Sequence, residues 1–282
     1  ASLVVGKKRG DSSDVLTLYD RNPDIASYWR AAVNNRMLNW FGEDYCRISQ
    51  LAFALGKLAD PRRTWDRWNG REDFNFPVSR NLMTLTDKPP KIVHFHNLHG
   101  DYFDLRSLSH ISQNTPTILT LHDEWLLTGH CAYSIECPRW EVGCGQCPDL
   151  DIYPAIRRDS TAFNWKRKRD IYRNSRLYIS TPCNWLMQRV ERSMLSFHAT
   201  RVIHNGVNTS VFRPIDKRKA RQALDLPLDT TILLHVAKRG EQSRYKDNVT
   251  IEQAVTKISR EKMSSKSPLF LRLGGEPSTE AI

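Results

Sequence analysis

The chain has 282 residues, enough for one large or two modest domains around a substantial core. Hydrophobic residues make up 40% and charged residues 26%, and no apolar run approaches the roughly 20 residues that a membrane-spanning helix needs. The formal net charge of +11 predicts an anionic partner, and nucleic acid is not expected because no recognised binding motif accompanies the charge.

Strand and helix patterns alternate along the first two hundred residues. In chain order they predict a strand at 15–18, an amphipathic helix at 25–40, strands at 92–95 and 117–121, a helix at 161–173, a strand at 177–180, a helix that begins at an Asn184 cap, and a strand at 201–203. Residues 41–75 are polar and aromatic, and they predict no regular element. The alternation indicates an α/β fold.

Two of these strands end in a histidine followed by a polar residue. The first is followed by His96 and Asn97, and the second by His122 and Asp123. Between them apolar residues recur at helical spacing, at Leu105, Leu108 and Ile111. A strand-helix-strand crossover makes the two strands parallel, with their carboxyl ends on one edge. Open α/β sheets bind ligands at that edge, so we expect both histidines to face one crevice.

The chain changes character after about residue 211. Residues 212–228 contain two prolines around a short charged helix and predict an interdomain linker. A second strand-helix-strand unit follows, with its parts at 231–237, 249–260 and 269–273. One crossover cannot enclose its own core. The predicted domains are therefore 1–211 and 229–282, the second one incomplete.

Six motifs occur in the same order as in a known family. They are VHFHN, TLHDEWLLTGHC, C-PRW-GCGQCP, STP-NWL, VIHNGVN--VFRP and ARQALDLP. Through them the chain resembles bacterial retaining glycosyltransferases of family four, over about residues 2–275. The resemblance implies a GT-B architecture, in which two Rossmann-like domains face each other across a cleft and bind the acceptor and a nucleotide-sugar, respectively. Family members begin one strand and a Gly-rich loop earlier and continue past Ile282, so both ends are expected to be missing.

The resemblance also implies site residues in the first domain. His122 is expected in the cleft near the sugar and the acceptor as a catalytic residue, with Asp123 either orienting it or accepting the acceptor proton. His96, Asn97 and the turn Asn205-Gly206 are expected to line the same cleft. The alternatives are a strand-end histidine satisfied by the backbone, and an Asn-Gly turn of the kind favoured in any protein.

The second domain is expected to hold the donor. Without a metal, a diphosphate must be neutralised by cations or helix N-termini. Lys246 matches the family's lysine for this role, and Lys238 or Arg239 would supply the accompanying cation; the alternative for all three is an exposed cationic loop. The donor is expected to be a UDP- or GDP-sugar, with no catalytic metal, and the acceptor a polysaccharide or a lipid-linked oligosaccharide.

One feature of the family is absent. Members carry two glutamates eight positions apart that hold the donor sugar and ribose, and no glutamate pair with this spacing occurs in the 282 residues. We therefore expect this polypeptide to have little or no transferase activity alone. The second hypothesis is a non-catalytic subunit that binds donor or lipid within a complex.

Four cysteines lie in a loop rich in Gly and Pro, namely Cys131, Cys137, Cys144 and Cys147. A closing C-x-x-C with two cysteines upstream is typical of a structural zinc site, and His130 would be able to replace one ligand. Two disulfides or four free thiols are the alternatives. Disulfides are less expected because no signal peptide is recognised, which indicates a reducing cytoplasm.

The densest basic cluster is Lys166-Arg167-Lys168-Arg169, on the predicted helix at 161–173. It predicts either a solvated helix face or a surface for anionic lipid or a lipid-linked phosphate. The protein is accordingly expected in the cytoplasm, with peripheral attachment at the inner face of the plasma membrane as a further hypothesis.

A different enzyme class is the weaker alternative. His94, His96 and His99 resemble the histidine cluster of metal-dependent hydrolases, because His94 and His96 project to one face of a strand. The aspartate usual before the third histidine is Leu98 here, which counts against this interpretation.

Overall fold

The computed structural model describes residues 4–6, 15–17, 61–85, 88–100, 102–236, 247–260 and 268–273. The chain divides into two compact units, Ala1–Gly206 and Val207–Ile282. Within the described ranges, no helix is both long and apolar enough to cross a membrane. The predicted helix at 25–40 lies outside the described residues, as do the expected diphosphate ligands Lys238, Arg239 and Lys246.

The first unit contains a four-stranded parallel sheet. Its strands, in spatial order, are β3 (Val93–His96), β4 (Thr117–Thr120), β5 (Leu177–Thr181) and β6 (Ala199–Val202). Helices connect neighbouring strands: α2 (Ser107–Asn114), α3 (Thr161–Arg173) and α4 (Asn184–Glu191). Consecutive strands are therefore neighbours in space, and all four carboxyl ends lie on one edge, as in other open α/β sheets.

Shorter elements complete the first unit. Strands β1 (Val4–Gly6) and β2 (Val15–Thr17) form a separate parallel pair, and helix α1 (Pro61–Trp68) precedes β3. Three 3-10 helices occur at Pro77–Thr84, Trp125–Leu127 and Arg139–Glu141.

The second unit contains α5 (Lys217–Ala223) and the parallel strands β7 (Ile232–Val236) and β8 (Leu269–Leu273), with α6 (Asn248–Arg260) between those strands in the chain. Asp216 caps α5, because its carboxylate accepts a hydrogen bond from the Lys219 backbone N–H at 2.9 Å. The predicted strand-helix-strand order of this region is confirmed.

The core of the first unit lies between the sheet and its helices. Leu119 and Ile179 on the central strands pack with Leu108 and Val190 on the helices, and all four are at most 2% exposed. Burying a side chain of this size contributes roughly 1.5–3 kcal/mol. The β-branched and leucine-rich runs predicted as buried strands therefore form the layer on which the site is built.

Two local predictions were wrong. Residues 41–75, for which no regular element was predicted, contain α1. This helix is short and strongly polar and buries none of its residues, so its composition resembles that of an irregular segment. At α4 the residue preceding the first turn is Cys183, with extended backbone angles, and Asn184 already lies inside the helix.

Two of the four basic side chains in the cluster on α3 contact other parts of the protein. Lys168 is fully buried, and the Arg167 guanidinium lies 4.1 Å from the centre of the Phe74 ring while donating to the Glu72 carbonyl at 2.9 Å. The prediction of a solvated face is wrong for Lys168, because the segment before β3 packs against this side of α3. Lys166 is exposed, and for it an anionic surface remains a prediction.

Candidate functional site

Two histidines meet at the carboxyl-terminal edge of the sheet. His96 is the last residue of β3, and His122 follows β4 by two residues. His96 Nδ1 and His122 Nε2 are 2.9 Å apart, and the two rings stack with centroids 5.2 Å apart. Both side chains are exposed. The crossover argument predicts this juxtaposition, since it places both strand ends on one edge.

The protonation states of this pair are restricted by their geometry. One of the two nitrogens must donate and the other accept, so the rings cannot both be imidazolium. Burial lowers the pKa of His96, and the neighbouring His94 and His122 lower it further. His96 is therefore neutral at pH 7, and His122 has one ring nitrogen, Nδ1, that the pair leaves free for another ligand.

A chain of hydrogen bonds runs behind the pair across three strands. His94 Nε2 lies 2.7 Å from the Thr120 hydroxyl, which contacts the hydroxyl of Ser180 on β5. The His94 ring is 4.2 Å from the His96 ring, and burial followed by the charge of His122 lowers the His94 pKa. This chain fixes the ring of His94, whose tilted contact with the His96 ring limits the positions open to His96.

Asp123 is paired with His99 and not with His122. Its Oδ2 is 2.7 Å from His99 Nε2, and its Oδ1 accepts from the Trp125 backbone N–H at 3.0 Å. The ring of His99 packs against Trp125, with centroids 5.6 Å apart. The suggestion that Asp123 orients His122 is therefore not supported, because both carboxylate oxygens already have other partners.

The turn after β3 has a constrained backbone. Asn97 has a φ of 42°, in the left-handed region that asparagine tolerates better than most residues. The Tyr102 hydroxyl lies 3.0 Å from the Asn97 carbonyl and 3.2 Å from the His96 carbonyl. Burial raises the pKa of Tyr102 to about 12, so the phenol stays protonated and can donate to these carbonyls. This contact holds the end of β3 in place.

A buried lysine supports the loop that carries His122 and Asp123. Lys168 Nζ donates to the carbonyls of Trp125 and Thr128, at 2.8 and 3.0 Å, and to Glu72 Oε1 at 2.8 Å. It also lies 3.7 Å from the centre of the Trp125 ring. Burial lowers the pKa of Lys168, and the Glu72 carboxylate opposes that effect. The buried ammonium thus holds the backbone of this loop in place. The sequence had not indicated this role for Lys168.

Glu124 anchors the same loop from the other side. Its carboxylate accepts from the Ser134 backbone N–H and pairs with Arg189 at 2.6 Å, while its own N–H donates to the Ala132 carbonyl at 2.9 Å. Burial raises the pKa of Glu124, and the Ser134 hydrogen bond and Arg189 oppose the rise. A charged residue inside a run of buried apolar ones is the sequence signal by which Glu124 could have been found.

The loop also packs directly onto the start of α3. A Cβ added at Gly129 would lie 2.4 Å from the Thr161 carbonyl oxygen and 2.7 Å from its Cβ. Only glycine fits this close approach. The position of the loop relative to the sheet is therefore set by backbone contact as well as by charge.

Asn205 and Gly206 lie at the end of the first unit, and both are exposed. The neighbouring His204 ring has Nδ1 2.8 Å from the Pro182 carbonyl, which holds this segment against the turn after β5. Their expected contribution to a cleft remains a prediction.

The four loop cysteines are free thiols in the structure. Gly129 N–H donates to Cys144 Sγ at 3.3 Å, and His130 Nε2 lies 3.4 Å from Cys147 Sγ. Burial raises the pKa of Cys131 to about 12 and that of Cys144 to about 11. Among the described residues, no three His, Cys, Asp or Glu side chains are positioned to hold a metal. The arrangement does not fit a closed zinc site, and zinc remains a prediction from spacing.

The histidines of the hydrolase alternative are engaged with other partners. His94 and His99 are bound to Thr120 and Asp123, respectively, and in the described part of the chain they form no metal-ligating group with His96. The sequence comparisons below favour a transferase as well.

Two comparisons with known proteins agree with one another. A family model described as Glycosyltransferase Family 4 matches residues 43–211, which include the whole four-stranded sheet. A protein of Escherichia coli strain K12 named "Putative colanic acid biosynthesis glycosyl transferase WcaC" is 30% identical over 131 residues. That alignment covers 42% of this chain and 32% of the other protein, so the chain matches about a third of the length of this relative.

Proposed function

Since the chain belongs to glycosyltransferase family 4, we propose that it transfers a glycosyl group from a nucleotide-sugar to a glycan or lipid-linked oligosaccharide, with retention of configuration. The observation that carries the proposal is the exposed His96–His122 pair at the carboxyl-terminal edge of the parallel sheet. The name of the relative refers to colanic acid biosynthesis, and by extension we propose an exopolysaccharide as the product.

The proposed reaction consists of three bond changes. The bond between the sugar's anomeric carbon and the diphosphate breaks, a bond to an acceptor oxygen forms, and the proton of the acceptor hydroxyl passes to an oxygen of the leaving diphosphate. Positive charge develops on the sugar and negative charge on the leaving diphosphate. Fixed dipoles and cations positioned for these charges are the largest source of acceleration in such sites.

His122 is the residue that we assign to the reacting groups. Its Nε2 is occupied by His96, so its Nδ1 is the ring nitrogen that the pair leaves for a ligand. His96 and the hydrogen-bonded chain behind it fix the ring orientation. In that geometry the His122 ring contributes a fixed dipole next to the developing charge, without having to reorganise during the reaction.

Asp123 is a positioning residue in this proposal. Its carboxylate holds His99 and the backbone of Trp125, so it fixes the loop beside His122 and does not itself contact the acceptor. For the donor, we propose that Lys246, with Lys238 or Arg239, neutralises the diphosphate of a UDP- or GDP-sugar. Family resemblance alone supports that assignment.

The test is a transfer assay on the protein expressed from its complete reading frame, with a panel of nucleotide-sugars and a membrane or glycan extract as acceptor. His122→Ala should lower the rate at least about 100-fold, the usual lower range for loss of a positioned catalytic group. His110→Ala removes an exposed histidine on α2 and should leave the rate within about twofold.

The outcomes separate the hypotheses. Equal rates for His122→Ala and the unaltered protein would remove the histidine pair from the mechanism. Turnover abolished by a chelator and by His94→Ala would favour the hydrolase. Donor binding without turnover by any nucleotide-sugar would favour the non-catalytic subunit.

A further inference from the structure

A pocket of about 200 Å³ opens between the loop at 135–141 and helix α4. Its lining includes Glu136, Trp140, Glu141, Trp185, Gln188 and Arg192. Drug-sized ligands usually occupy clefts of roughly 300–1,000 Å³, so this pocket is large enough for one small ring and not for a nucleotide.

Two tryptophans line the pocket, and one of them, Trp185, also contacts the neighbouring ring of Tyr133. Trp185 is 47% exposed and Tyr133 is 41% exposed, and their ring centroids are 6.2 Å apart. Trp140 is buried beneath them, and the Arg189 guanidinium lies 4.4 Å from the Trp185 ring and 5.3 Å from the Trp140 ring. The guanidinium therefore fixes an indole that still exposes almost half of its surface. A pyranose ring offers C–H groups on one face, which pack well on such a surface.

The charges on the lining cancel. Glu136 and Glu141 supply two negative charges, and Arg189 and Arg192 supply two positive ones. Arg192 pairs with Glu141 at 2.5 Å, and Arg189 pairs with Glu124 at 2.6 Å. Paired guanidinium groups offer little to a phosphate, whereas carboxylates, guanidinium groups and the Gln188 amide are good partners for hydroxyl groups. A neutral, hydroxyl-rich ligand fits this pocket best.

One residue joins the pocket to the candidate site. Arg189, in the pocket wall, contacts Glu124 and also donates to the Ser134 hydroxyl at 2.9 Å. Glu124 follows Asp123 directly in the chain and holds the loop that carries His122. The pocket and the histidine pair are thus built on the same loop of the first unit.

We infer that this pocket binds a neutral hexose ring of the acceptor glycan, other than the ring that receives the new bond. The inference rests on the proposed transferase function and specifies how the acceptor is chosen. Trp185 is the residue on which the ring stacks, and the polar side chains of the lining bind its hydroxyl groups.

Binding and transfer are tested separately. Quenching of tryptophan fluorescence is titrated with cellotetraose, mannotetraose and galactotetraose, and with inorganic phosphate as the anionic probe. We expect saturable binding of at least one neutral oligosaccharide, weakened about tenfold by Trp185→Ala, which corresponds to about 1.4 kcal/mol. Trp185→Phe should retain most of the binding. Trp65→Ala, which removes a tryptophan that is 59% exposed on α1, is the matched control.

In the transfer assay, Trp185→Ala should raise the KM for a long acceptor about tenfold and leave kcat and the donor KM unchanged. A monosaccharide acceptor should not distinguish the variant from the unaltered protein. Oligosaccharide binding that is insensitive to Trp185→Ala, no binding of any neutral probe, or binding of phosphate instead would overturn the inference. If transfer fails while binding behaves as expected, the proposed function falls and the sugar-binding pocket stands.

Discussion

Replacing Lys168 by Met tests how the loop beneath the site is held. The Lys168 side chain is 0% exposed and that of its partner Glu72 is 9% exposed. Removing one member of a buried ion pair typically costs 3–5 kcal/mol, because the other charge is left without a partner. The carbonyls of Trp125 and Thr128 lose the same donor, and because one ammonium serves all three groups, their cost is counted within that 3–5 kcal/mol.

The structure also predicts how this loss depends on pH. Burial raises the pKa of Glu72, and Lys168 opposes the rise. In Lys168→Met the opposing charge is gone, so the pKa of Glu72 lies further above its value of 4.5 in the unfolded chain. Each pH unit above the unfolded pKa adds about 1.36 kcal/mol to the cost of keeping Glu72 protonated in the folded protein. Since pH 7 lies 2.5 units above 4.5, that cost is at most about 3.4 kcal/mol. A carboxyl group whose pKa is higher in the folded state stabilises the fold fully at pH values below its unfolded pKa, and this stabilisation is lost as the pH rises. At pH 5 the cost is under about 1 kcal/mol.

The measurement is urea unfolding of the chain and its variants at pH 5 and pH 7, in parallel. We expect Lys168→Met to lose about 3–5 kcal/mol at pH 7, with a loss up to about 2.5 kcal/mol smaller at pH 5. Adding Glu72→Leu should recover much of the stability, since no buried charge remains. Lys166→Met, an exposed neighbour on α3, should change stability by less than about 0.5 kcal/mol. A loss for Lys168→Met below about 1 kcal/mol at pH 7 would refute the buried pair.

Three further predictions concern the same loop. Gly129→Ala should lower the free energy of unfolding by about 1–3 kcal/mol because its Cβ meets the Thr161 backbone, whereas Gly206→Ala, where an added Cβ meets nothing within 4 Å, should change it little. The spacing of the four loop cysteines predicts one zinc per chain in metal analysis and a Tm that a chelator lowers; zinc-free protein with reactive thiols would contradict this. Without zinc, Cys131 should be alkylated at pH 8 more slowly than Cys137, because burial raises the pKa of Cys131 to about 12. Mass spectrometry of the alkylated peptides checks the last prediction, and equal rates would contradict it.

The strands and helices that carry the site could be predicted from the sequence, whereas most of its side-chain contacts could not. The bounds of α3 and the order of strands and helices agree with the elements that were predicted from local sequence patterns. The meeting of His96 and His122 follows from the rule that crossovers leave parallel strand ends on one edge.

The remaining contacts depend on segments far apart in the chain. Asp123 was assigned to the adjacent His122, but the turn after β3 brings His99 closer. Lys168 resembles its exposed neighbours in sequence, and only the packing of Glu72 and Trp125 against α3 shows that it is buried. Helix α1 is short and strongly polar and has no buried residue, so its composition did not distinguish it from a loop. Tertiary pairing of polar groups is not encoded in local patterns.

The anomeric configuration of the product tests the central proposal most directly. The protein from its complete reading frame is incubated with a nucleotide-sugar of known configuration and an acceptor glycan, and the new linkage is identified by proton NMR at early times. We predict the same anomeric configuration as in the donor, and a rate of product formation at least about 100-fold lower with His122→Ala. An inverted linkage, or undiminished transfer by His122→Ala, would contradict the mechanism proposed for this site.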